Sequence, residues 1–123
     1  MINMDDKKQI EIKNKVKEFS EAILECEEYE SFITESEKFD KNSEAHNLLN
    51  KFQQKKNQLQ WGFDSQLFDE LQKLQMEINK NKTIQDFVKS QENLVNLLKR
   101  TNEIISEKIG TQFAFFQGSG CCG

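Results

Sequence analysis

The chain has 123 residues, 31% charged and 36% apolar, with no proline, five glycines and a formal net charge of −4. That length provides for one ordinary core, and four of the five glycines fall at or after Gly110, so the stretch before it has the composition of long, uninterrupted helices. The acidic balance argues against a general phosphate-binding surface, and hence against direct nucleic-acid binding, and no run of 18 apolar residues exists that could span a bilayer.

The apolar spacing is helical nearly throughout. The first run, Ile12, Val16, Phe19, Ile23 and Cys26, advances by four, three, four and three residues, a heptad-like stripe. Tyr29, Phe32, Ile33 and Phe39 follow and are read as a short second helix after a bend. Asn42 or Ser43 can cap a third helix, with Glu44 at its positive end and a stripe of Ala45, Leu48, Leu49, Phe52 and Leu59. "WGFDSQ" marks a loop. A fourth helix carries Leu67, Phe68, Leu71, Leu74 and Ile78 and stops in "NKNK".

Thr83 with Asp86 three residues on fits a capping box and predicts the longest helix, Ile84 to Ile109, roughly 40 Å at 1.5 Å per residue. Gly110 ends it. The expected fold is all-α, an antiparallel bundle of four or five helices with a long C-terminal helix, in which residues 1–110 form the domain and 111–123 a flexible tail. Long, narrow stripes leave apolar surface for a second copy or a relative, so an oligomer, a dimer or higher, is expected.

The succession "CEEYESF", "DKNSEAHNLLNKF" and "NKNKTIQDFVKSQENL" resembles the YlbF/YmcA family of small helical regulators, over about residues 8 to 110. The resemblance rests on caps and core positions rather than on a catalytic signature. It implies an all-α fold, assembly into homo-oligomers or hetero-oligomers with paralogues, and no enzymatic activity. It also implies an adaptor role in a ribonuclease-associated complex that modulates RNA processing and developmental regulation. Some members carry cysteines near the C terminus that ligate iron–sulfur clusters, whereas here the tail holds an adjacent pair, Cys121 and Cys122.

That pair can be read without the family. Consecutive Cα atoms lie about 3.8 Å apart, below the usual disulfide range of about 4.4 to 6.8 Å, so Cys121 and Cys122 are poised to bond outward rather than to each other. Two tails brought together offer four thiolates, the number that a structural zinc site or a cubane iron–sulfur cluster takes. An idle tail with reduced thiols and an intermolecular disulfide are the alternatives. Cys26, in register with the first stripe, reads as a small core residue, and His46 as a surface or rim residue.

Glu18 to Glu44 contains ten acidic side chains against Lys38 and Lys41, which reads as a solvated face or a dock for a basic partner. Phe113, Phe115 and Phe116 beyond the last helix, with Trp61 and Phe63 in the mid-chain loop, are either packing on their own bundle, the favoured expectation, or anchors in a partner's pocket. No nucleophile motif, phosphate loop or metalloprotease helix is present to support an enzyme. The amino terminus lacks a secretory apolar segment, so a cytoplasmic protein is expected. The functional expectation is a regulatory adaptor, with a structural or chaperone-like helical oligomer as the alternative.

Overall fold

The computed structural model describes residues 4–115. Five helices follow one another: α1 (Met4–Glu25), α2 (Glu27–Asp40), α3 (Ser43–Leu59), α4 (Ser65–Lys80) and α5 (Lys82–Ile109). Among the described residues there is no strand, in agreement with the predicted all-α class.

The break between α1 and α2 needs neither glycine nor proline. Cys26 adopts an extended backbone (φ −78°, ψ 157°), and Glu27, Glu28 and Glu30 crowd the first turn of α2, where carboxylates favour the positive end of a new helix. Cys26 is therefore the N-cap residue at a bend, half-buried, and not the in-register core residue that the stripe predicted. The stripe ran through it because a bend of one residue does not disturb the spacing.

Caps set the other boundaries. The Asn42 side chain accepts from the Ala45 N–H at 2.9 Å, the Asp64 carboxylate from Gln66 and Leu67, and the Asn81 side chain from the Ile84 N–H at 3.0 Å. The predicted capping box at Thr83 is corrected by this last bond, since α5 starts at Lys82 under Asn81. Thr83 instead accepts from the Asn42 amide at 3.1 Å, which ties the α2–α3 turn to the start of α5. At the other end, the Gly110 N–H donates to the Ser106 carbonyl at 3.0 Å with φ at +74°, a left-handed cap that glycine adopts at least cost.

These turns meet at one point. Ala45 (0% exposed), Ile78 and Ile84 form the core there, with Phe39, Leu48, Leu49, Phe52 and Val88 packed around them. From that junction α2 runs antiparallel along α5, as Phe87 stacks on both Phe39 (4.9 Å) and Phe32 (5.9 Å), while α3 pairs with α4. His46 is half-buried on Phe39, ring centres 4.6 Å apart, at the rim of this core. Lys55 of α3 donates to Glu70 of α4 at 2.7 Å, and this hydrogen bond, with the lysine charge behind it, holds the Glu70 carboxyl below its usual range.

Because Asn42 caps α3 and bridges to α5 at once, Asn42→Ala should destabilise the fold by about 1–2 kcal/mol in urea titration, at the upper end of the range for N-caps. Thr83→Ala, which removes only the bridge, should cost less. Equal costs would mean that the cap bond carries no weight.

Candidate interaction surface

Helix α1 is 22 residues long and buries none of them. Ile12 is 62% exposed, Val16 56% and Phe19 42%, so the heptad-like stripe faces outward along most of its length. Helices in proteins draw most of their stability from tertiary burial of an amphipathic face. Helix α1 draws little of it from its own chain.

The surface area of the whole molecule carries the same imbalance. A compact monomer of 14.5 kDa is expected to expose about 6,900 Å², whereas this chain exposes 10088 Å². Eleven residues lie outside the described range, and even in an unfolded chain that share of the mass would expose only about 1,900 Å². The difference is larger than those residues alone would give, as expected of helices that leave much of their surface uncovered.

The predicted aromatic anchors lie at two separate places. Trp61 (92% exposed) and Phe63 (80% exposed) sit in the loop between α3 and α4, and Phe63 tilts against Phe68 at 6.2 Å. Packing on their own bundle, the favoured expectation, is absent for Trp61 and limited to this one edge for Phe63. Phe113 and Phe115 lie beyond α5, both exposed. Phe116, Cys121 and Cys122 lie outside the described residues.

Residues 111–115, predicted as the start of a flexible tail, fold back along the last turns of α5. The Asn102 side chain accepts from the Ala114 N–H at 2.9 Å and donates to the Ala114 carbonyl at 3.0 Å, and the Ser106 hydroxyl accepts from the Phe113 N–H at 2.9 Å. Sequence reasoning missed Asn102 and Ser106. Their spacing of four places them on one helix face, but polar residues four apart are ordinary on exposed helices, and the signal appears only once the chain has reversed at Gly110.

The acidic stretch is also altered by its surroundings. Glu27, Glu28 and Ser31 of α2 and Asn93, Asn96, Lys99, Arg100 and Glu103 of α5 line an open groove of about 650 Å³. Cations of α5 thus stand across from part of the predicted acidic face. Glu35 pairs with Lys38 at 3.5 Å.

The arrangement is one of four helices packed on or beside a long terminal one. The family described as control of competence regulator ComK, YlbF/YmcA, matches residues 12–110, which takes in most of α1 and all of α2 to α5. The chain belongs to the YlbF/YmcA family. Its description is that of a regulator, and the match includes Trp61 and Phe63 but ends before Phe113. Against curated proteins and against solved structures the chain finds no match. Among the described residues of this YlbF/YmcA member, no helix is long and apolar enough to cross a membrane, and no group of three or more His, Cys, Asp or Glu side chains is placed to hold a metal ion.

Proposed function

We propose that this protein is a non-catalytic regulatory adaptor that assembles with a second copy or a paralogue through α1 and contributes to a larger cytoplasmic complex. The single observation that carries the reading is α1 itself, a helix that lies mostly within the family's matched region and has a heptad-like apolar face that its own chain does not bury. Covering such a face removes Ile12 and Val16 from water in each protomer. That is the ordinary driving force of helical assembly.

The larger complex, on the family resemblance, is ribonuclease-associated and modulates RNA processing, with this chain as an adaptor rather than a direct RNA binder. The carboxylates exposed on α2 suit docking against a basic protein surface, where charge speeds encounter. Light scattering of the full chain over a concentration series is expected to give a mass above 14.5 kDa. A monomer at every concentration, and with every paralogue added, would remove the reading.

In the same proposal Cys121 and Cys122 of two assembled chains supply the four thiolates that zinc or an iron–sulfur cluster takes. Anaerobic purification followed by metal and sulfide analysis should find bound metal, lost in a Cys121→Ser, Cys122→Ser variant. Metal-free protein would leave the adaptor reading intact and end the ligand reading.

A further inference from the structure

Helix α1 approaches the rest of the chain at its C-terminal end, and the approach is three-sided. Phe19 of α1, Leu98, Thr101, Asn102 and Ile105 of α5, and Phe113 and Ala114 of the returning segment together line a small, half-open, almost wholly apolar cavity of about 140 Å³. Phe19, at 42%, is the least exposed of the outward-facing apolar side chains Ile12, Val16 and Phe19, and it is the one that lines this cavity. Remove the third wall and the helix keeps its bend at Cys26 and one side of α5.

The third wall is held in an unusual way. The three hydrogen bonds of Asn102 and Ser106 described above run between side chains of α5 and the backbone of the segment. An amide side chain that both accepts from and donates to one residue's backbone imitates the pairing of a β-bridge, and it fixes that residue's position and orientation together. Asn102 is at once the clamp for Ala114 and a wall of the cavity that Phe19 also lines.

We propose that residues 111–115 are a clasp that seats the C-terminal half of α1 against α5, so that the position of α1 and the seating of the segment are coupled. The coupling does not depend on what covers the rest of α1. It follows from two elements sharing one cavity, and it must act in both directions, because whatever each element gains from the other is the same free energy. An event that lifts the segment off Asn102 would thereby free α1.

The test is hydrogen exchange by mass spectrometry on the full chain. Ala114→Pro removes the N–H that Asn102 accepts from and touches no helix. It is expected to speed exchange in residues 111–115, and also in residues 16–25 of α1 by roughly five- to tenfold, the scale of a lost local hydrogen bond. Asn102→Ala should do the same, and exchange in α4 should stay unchanged in both. Phe19→Ala, on the other side of the cavity, should speed exchange at Phe113 and Ala114. Faster exchange in 111–115 with α1 unaltered, or no response of Phe113 and Ala114 to Phe19→Ala, would overturn the coupling. Slow exchange in 111–115 after Ala114→Pro would overturn the clasp itself. Light scattering on the same samples separates a change in assembly from a change within the chain.

Discussion

Ile84→Ala is expected to lower the unfolding free energy by about 2–5 kcal/mol, the usual cost of cutting a buried isoleucine back to a methyl group. For a domain with about 5–15 kcal/mol to lose, that is a large fraction of the total. Ile84 is 3% exposed and stands where the α2–α3 and α4–α5 turns meet, against Ala45 and Ile78. The cavity left there cannot be refilled easily, because its neighbours are held by the Asn42 and Asn81 caps. Urea titration followed by circular dichroism measures it. A loss below about 1 kcal/mol would place the true core elsewhere, and a loss confined to the α3–α4 pair in hydrogen exchange would mean that the two helix pairs unfold separately.

The double substitution Ile12→Glu, Val16→Glu is expected to do the opposite: leave the fold of one chain nearly untouched and abolish assembly. Both side chains are more than half exposed, so the bundle loses no buried contact. In an assembly the same positions would each place a carboxylate in an apolar seam, where burying a charge without a partner costs several kcal/mol. Light scattering should therefore show the mass fall to that of one chain, with helicity reduced at most in α1. If the mass stays at the oligomer's value, α1 is not the contact, and the exposed Trp61 and Phe63 loop becomes the next surface to change.

Much of this fold was legible in the residues. Helix starts at Asn42 and ahead of Leu67, the loop at Trp61 to Asp64 and the stop at Gly110 follow from local rules, since a cap or a left-handed glycine acts within one turn. Local rules also misled where two residues competed. Thr83 had the spacing of a capping box, but Asn81, two positions earlier, accepts from the Ile84 N–H and starts the helix first, and this left Thr83 to bridge to Asn42. Cys26 kept the helical period and still became a cap, because the carboxylates after it favour a new helix start over continuation.

The candidate surface was only half legible. Periodicity gave the α1 stripe but not the direction it faces. Hydrophobic spacing records that a face avoids water, and a core and an interface ask for the same spacing. Likewise the aromatic residues could be named, but whether Trp61 packs or protrudes depends on what the α3–α4 loop meets, and it meets little.

The sequence by itself determined the class, a count of four or five helices, most of their ends and the family, because these rest on propensity, capping and a pattern of core positions spread along the chain. The tertiary structure decided what lies opposite what: the bridge from Asn42 to Thr83, the cations of α5 across from the acidic α2, the outward face of α1, and the hydrogen bonds of Asn102 and Ser106 to residues 113 and 114. The physical reason is range. Caps and periods act over three or four residues, whereas each of these juxtapositions depends on where a turn sends the chain, and that direction is settled by packing at the junction around Ala45, Ile78 and Ile84.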